Sequence, residues 1–196
     1  DELCAMVEAQ PDALVVMASS GKGRSAAIVG SVAEHVLHET FGPILLVGPE
    51  VTPGDFGGAV VITVDGSEES EAALPLGVSW AVELGVTPWI VHVTGQSKPV
   101  SGGDLADAVY LSRLATELAD ASQHRVEFDE LHEGHPARAV CDYVDRNEAS
   151  LIVASSHGRS GLSRLAMGSV TSAFVRHATC PVLVFRLPHL ADAQHE

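Results

Sequence analysis

The sequence predicts an α/β fold, an open five-stranded parallel sheet with helices on both faces over residues 58–187, preceded by a partial copy of the same domain. Two observations predict it. From residue 58 onward, short apolar runs alternate with amphipathic stretches in the order β-α-β-α-β-α-β-α-β, the pattern of parallel strands joined by helical crossovers. In addition, one stretch occurs twice. GSVAEHVLHETFGPILLV (30–47) aligns with GSVTSAFVRHATCPVLVF (168–185) without a gap, which marks an internal duplication.

The elements follow in chain order. ELCAMVEAQ (2–10) reads as a helix and ALVVMA (13–18) as a strand. A small-residue loop leads to a helix opening at Gly30-Ser31. The next strand is entered through Pro43, where a missing N–H is tolerated. Upstream only the helix 2–10 remains, so the first copy lacks the first three strands of the domain. A sheet edge is then exposed, and another chain or a longer N-terminal region is expected to cover it, the latter favoured by a start at Asp1 rather than Met. PEVTPGDFGG (49–58) is a Pro/Gly-rich linker.

The second copy begins with the strand AVVITV (59–64) and a turn. EESEAALPLGVSWAVELG (68–85) reads as one helix with Ser67 as N-cap and Ala73, Leu76, Trp80 and Leu84 on one face. A kink is expected at Pro75, which would cost about 3 kcal/mol in a regular helix interior. TPWIVHVT (87–94) is a strand, and residues 104–122 form a helix with Leu111, Leu114 and Leu118 on one side. RVEFDEL (125–131) alternates as an edge strand, PARAVCDYVDRN (136–147) is a helix, and SLIVAS (150–155) is a buried strand. The second helix–strand repeat ends in PVLVF (181–185). The expected division is therefore a partial domain over 1–48, a linker over 49–57, a complete domain over 58–187 and a tail over 188–196.

Composition narrows the function. A chain of 196 residues with 46% hydrophobic and 19% charged content has the make-up of a soluble protein. Its apolar runs fall far short of the ~18 residues a membrane span needs, so no membrane partner is expected. The formal net charge of −15 repels nucleic acid and anionic lipid, so neither is an expected partner, and any bound anion must be held by local donors. Cys4, Cys141 and Cys180 lie far apart with no CxxC or zinc spacing and read as buried thiols of a reducing, cytoplasmic environment.

Chemistry concentrates at the ends of two strands of the complete domain. Ser155-x2-Gly158-x9-Gly168-Ser169 starts at the C-terminal end of one central strand, and Val64-Asp65-Gly66-Ser67 closes another. Open α/β sheets bind ligands in the crevice between such ends. A helix opening at Gly168-Ser169-Val170-Thr171 presents unpaired N–H groups, a positive dipole end and two hydroxyls to a phosphate, with no carboxylate in its first turn. Gly158 lets a polyphosphate approach the backbone, although it and Gly161 also serve as plain turn residues. Arg159 and Arg164 can add charge or simply face solvent. Asp65 suits a ribose hydroxyl and equally suits capping of the following helix.

Together these motifs, with His92-Val93 at the end of the second strand, resemble the universal stress protein family over essentially all of residues 58–187, and the duplication extends the likeness to 1–48. The resemblance implies a Rossmann-like, adenine nucleotide α-hydrolase-like fold and ATP, with or without Mg, as the ligand. Nucleotide-binding members read G-x2-G-x9-G-S/T, and here Ser155 stands in place of the first glycine. By resemblance Asp65 binds ribose, Val93 lines the adenine pocket, and Gly158, Gly168, Ser169, Val170 and Thr171 hold phosphates. The full candidate set adds Gly66, Ser67, Ala154, Ser155 and Arg159. The family's two-fold dimers imply that strand 43–47 pairs antiparallel with 181–185 as an intrachain pseudo-dimer, and a homo-oligomer is expected.

Other motifs point elsewhere and are set aside. GKGRS (21–25) lacks the GxxxxGK[ST] order of a phosphate loop, and HEGH (132–135) is not HExxH and lies in a loop. His157 has no orienting partner in the sequence, and no nucleophile–base order is apparent. Catalysis is expected to amount at most to slow ATP hydrolysis. The first copy, two residues shorter between its ASS (18–20) and its GSV (30–32) and without the acid-bearing strand, is expected not to bind nucleotide. A regulatory nucleotide-binding protein of the stress response is the leading reading, and a nucleotide-free scaffold is the alternative.

Overall fold

The computed structural model describes residues 2–10, 13–19, 29–40, 42–95, 103–156 and 167–186. The first copy supplies α1 (Glu2–Glu8), β1 (Val15–Ala18), α2 (Ser31–Glu39) and β2 (Gly42–Val47). The second supplies β3 (Val60–Val64), α3 (Glu68–Glu71), α4 (Leu74–Leu84), β4 (Pro88–Thr94), α5 (Gly103–Ser122), β5 (Glu127–His132), α6 (Pro136–Arg146), β6 (Leu151–Ser155), α7 (Ser169–His177) and β7 (Val182–Arg186). All seven strands join one sheet in the order β1-β2-β7-β6-β3-β4-β5.

The five strands of the second copy run parallel, as the alternating pattern predicts. From β3 the chain moves outward through β4 to the edge strand β5, then returns to β6 on the other side of β3. That reversal leaves a crevice at the C-terminal ends of β3 and β6, where neighbouring crossovers diverge to opposite faces. Two apolar layers flank the sheet. On one side Val36, Phe174, Val175, Val140 and Tyr143 from α2, α6 and α7 pack on Leu46, Val61, Ile152 and Val184. On the other, Val78, Ala81, Leu111 and Leu114 from α4 and α5 cover Ile62, Val64 and Ile90.

The two copies meet through β2 and β7, which pair antiparallel from Gly42↔Arg186 to Leu46↔Val182, so the pairing runs one residue beyond the expected 43–47 and 181–185 spans at one end and stops short of Val47 and Pro181 at the other. Leu45 lies opposite Leu183, its equivalent in the duplication, so a local pseudo-two-fold passes through that pair. Hydrogen bonds repeat on both sides of it. Ser19 N–H donates to Val47 and Gly30 N–H to Ser19; likewise Ser156 N–H donates to Phe185 and Gly168 N–H to Ser156. This equates Ser19 with Ser156, and Val15↔Ile44 with Ile152↔Val182. Ten residues (20–29) therefore separate the matched serine and glycine in the first copy against eleven (157–167) in the second, a difference of one residue rather than two. Matching the ASS triplets by identity misplaces the strands by a residue; the hydrogen bonds correct it.

Two helical expectations change. The stretch 68–85 is two helices, because the chain breaks at Ala72-Ala73 and Pro75 falls in the first turn of α4, where its missing N–H costs nothing. The face that α4 buries also differs from the expected one. Leu74, Gly77, Val78 and Ala81 are buried, and the small Gly77 lies against Ile62, while Leu76, Trp80 and Leu84 sit half-buried at the margin. The linker is tied down as well. Thr52 N–H donates to the Thr179 carbonyl, and Phe56 packs against the layer that holds Leu45 and Leu183.

Candidate functional site

A cavity of about 270 Å³ opens at the C-terminal ends of β3, β4 and β6, against α6 and the first turn of α7. Eight of the twelve predicted residues line it: Asp65, Val93, Ala154, Ser155, Gly168, Ser169, Val170 and Thr171. Gly66 and Ser67 do not; they shape the turn that presents Asp65. Gly66 has φ of +80°, a conformation other residues adopt only with strain, and Ser67 caps α3 by accepting from Ser70 N–H. Gly158, Arg159, Arg164 and His157, with the GKGRS motif, lie outside the described residues.

The turn after β3 is closely hydrogen-bonded. Asp65 Oδ1 accepts from Ser67 N–H at 3.0 Å and from Ser67 Oγ at 2.6 Å, and Asp65 N–H donates to Ser70 Oγ at 3.2 Å. The carboxylate thus orders its own turn as well as lining the cavity, and the N-cap of α3 is Ser67 rather than Asp65. Behind it His92, buried on β4, bonds the Val64 carbonyl at 2.7 Å through Nδ1.

On the opposite wall α7 begins at Gly168, whose φ of −54° and ψ of 148° are open to any residue. Ser169 and Val170 are exposed at the mouth. The helix carries no acidic residue in its first turn and has Arg176 and His177 in its last, an arrangement that leaves the positive dipole end uncompensated toward the cavity. Thr171 differs from the expectation of a phosphate-donating hydroxyl. It is buried, and its Oγ1 donates to the Ser155 carbonyl at 2.8 Å, so its proton fixes helix to strand. In the first copy the equivalent residues are Ala18 and Ala33, which cannot make that bond.

The cavity also takes Thr63, Val91, Pro136, Val140 and Phe174, which sequence reasoning missed. A signal existed for two of them: Thr63 and Val91 lie two residues before Asp65 and Val93, hence on the same face of their strands. Pro136 and Val140 enter from α6, and only the sheet order places that helix beside the crevice. His132 of the HEGH stretch closes β5 rather than sitting in the loop. Among the described residues no group of three or more His, Cys, Asp or Glu side chains could hold a metal, and no helix is long and apolar enough to cross a membrane. All three cysteines are buried and free; burial pushes the Cys141 thiol up to about 11 and the Cys180 thiol up to about 12.

The family model described as the universal stress protein family matches residues 58–186. A universal stress protein of Mycobacterium tuberculosis is 30% identical over 193 residues, covering 92% of this chain, which spans 64% of that relative's length. A universal stress protein structure from Archaeoglobus fulgidus superposes with a TM-score of 0.68 at 22% identity, over 96% of this chain and 66% of that one. A second structure from Archaeoglobus fulgidus, a universal stress protein in complex with dAMP, superposes with a TM-score of 0.53 at 21% identity, over 66% and 98% of the two chains. At these identities the two structures attest the fold.

Proposed function

We propose that this chain, which belongs to the universal stress protein family, binds an adenine nucleotide, ATP, in the crevice of residues 58–187 and serves a regulatory role in the stress response. The observation that carries the reading is convergence: a ribose-type acid (Asp65), an apolar wall (Val91, Val93, Val140) and a helix N-terminus without a carboxylate (Gly168–Thr171) meet around one cavity. Adenine fits against the valines, ribose at Asp65, and phosphate at the first turn of α7. The complex of a family member with dAMP supports the nucleotide class. Mg, where present, enters with the nucleotide's phosphates. The chain is a binding module working in the cytoplasm, hydrolysing ATP slowly at most.

In this reading the first copy is a structural partner that binds no nucleotide. Residues 1–48 form an incomplete domain of a tandem arrangement, the β2–β7 pairing is an internal pseudo-dimer, and whole chains associate further as homo-oligomers through surfaces outside it. One observation favours the alternative, a nucleotide-free scaffold: the Ser155 carbonyl and the Thr171 hydroxyl already satisfy each other. Isothermal titration of the purified chain with ATP, with and without Mg, separates the two. One nucleotide per chain, abolished by Gly168→Glu, is the expected result. No binding by the wild-type chain overturns the proposal, and in that case ATP binding gained by Ser155→Gly would mark a lapsed site.

A further inference from the structure

Resting on that reading, we infer that His92 and Tyr110 are positioning residues that clamp the two ends of the Asp65 turn and so set the ribose-binding strength of its carboxylate. The turn is anchored on both sides from outside itself. On its N-terminal side His92 Nδ1 lies 2.7 Å from the Val64 carbonyl, the residue just before Asp65. A carbonyl oxygen only accepts, so Nδ1 carries the hydrogen in this contact. On the C-terminal side the Tyr110 hydroxyl donates to Glu71 Oε1 at 2.8 Å, and Glu71 is the last residue of α3, the helix that the turn opens. The two anchors touch each other: the His92 and Tyr110 rings meet edge to face, 6.2 Å between centroids and 73° between planes.

The clamp therefore draws on β4 and α5 to hold a turn between β3 and α3. Inside it, Ser67 and Ser70 fix the Asp65 carboxylate and amide. Burial, and then the bond to Glu71, raise the Tyr110 phenol, which keeps it a donor at any working pH. Arg113, one turn further along α5, lies 5.9 Å over the Tyr110 ring and pairs with Glu117 on the same helix. Neither His92 nor Tyr110 lines the cavity, whereas Val64 and Asp65 do. Loss of either anchor should act only on the part of binding that runs through Asp65.

The test compares ATP with 2′,3′-dideoxy-ATP by isothermal titration on the full chain. A carboxylate–hydroxyl bond should make wild type prefer ATP by about tenfold. In His92→Gln, whose amide cannot reach the Nδ1 position, and in Tyr110→Phe, which keeps the ring and loses the hydroxyl, that preference should shrink toward that of Asp65→Ala while dideoxy-ATP affinity holds. His92→Asn, which puts an N–H where Nδ1 stood, should recover part of it, and His92→Gln in the Asp65→Ala background should change nothing further. If both single variants fold, bind ATP and keep the wild-type preference, the clamp is refuted and the binding site stands. Should His92→Gln fail to fold, Tyr110→Phe decides alone. If wild type binds neither nucleotide, the binding proposal fails and this inference with it.

Discussion

Gly48 follows β2, where the first copy docks on the second, and a single methyl there should break the junction. A Cβ at Gly48 would lie 2.0 Å from the Val175 carbonyl oxygen and 3.1 Å from its carbon. Ordinary carbon contacts need about 3.5 Å, so strand and helix must part by more than about 1 Å. The obstacle is helix backbone with no rotamer to change, and Phe174 and Val175 beside it are almost fully buried in the layer the copies share. Gly48→Ala should therefore cost about 3 kcal/mol, the upper end for overpacking, and lower the melting temperature by about 6–12 °C. The pseudo-two-fold supplies a companion. Position 186 corresponds to 48, and there Arg186 reaches across to the equivalent helix, its Nη1 donating to the Leu37 and His38 carbonyls at the end of α2. Arg186→Met should cost about 1–2 kcal/mol through those bonds. Urea denaturation followed by circular dichroism measures both, with Gly54→Ala in the linker as a control expected within about 0.5 kcal/mol of wild type. A Gly48→Ala chain with wild-type stability would refute the close docking of β2 on α7.

Thr171→Val keeps the shape of the side chain but deprives the Ser155 carbonyl of its donor, so a loss of about 1 kcal/mol is expected, near the lower limit because the first copy holds Ala33 at the equivalent position. Thermal denaturation reads it, and an unchanged midpoint would show that the bond contributes nothing. The buried thiols give a pH signature. Cys141 at about 11 and Cys180 at about 12 stay protonated in the folded state, whereas unfolded cysteine ionises near about 8.5. From about pH 9 the unfolded state alone sheds these protons, so stability falls as pH rises and levels once the folded thiols ionise near 11 and 12. Urea midpoints between pH 8 and 10.5 should decline less steeply in Cys180→Ala. A thiol reagent at pH 8 should modify Cys141 and Cys180 only after unfolding, and rapid labelling of the native chain would contradict their burial.

Much of this was legible in the sequence where one local pattern decides the outcome. The strand runs 59–64 and 150–155 are continuous apolar stretches because both their faces are covered, and β3 and β6 appear there. The gapless Gly30/Gly168 alignment placed α2 with α7 and β2 with β7, and eight of the residues lining the cavity came from strand ends and a helix start. What stayed hidden depends on long-range packing. No periodicity places Pro136 and Val140 beside Asp65, since that follows from β6 inserting next to β3. The buried face of α4 differs from the expected one because bulk suggests Trp80 where smallness, at Gly77 and Ala81, lets the helix lie on the sheet.

The duplication shows how a pairing surface and the cavity separate. Both copies keep the strand that lies on the pseudo-two-fold, with Leu45 against Leu183, and both keep the serine-to-glycine bond that closes the loop before the helix. These are backbone features, and they survive wide changes of side chain. Thr171, whose hydroxyl ties helix to strand through the Ser155 carbonyl, has Ala33 as its equivalent in the first copy. A pairing edge needs only main chain and an apolar face, and residues 42–46 supply both. The cavity instead draws side chains from β3, β4, β6, α6 and α7 at once, all of them in the second copy.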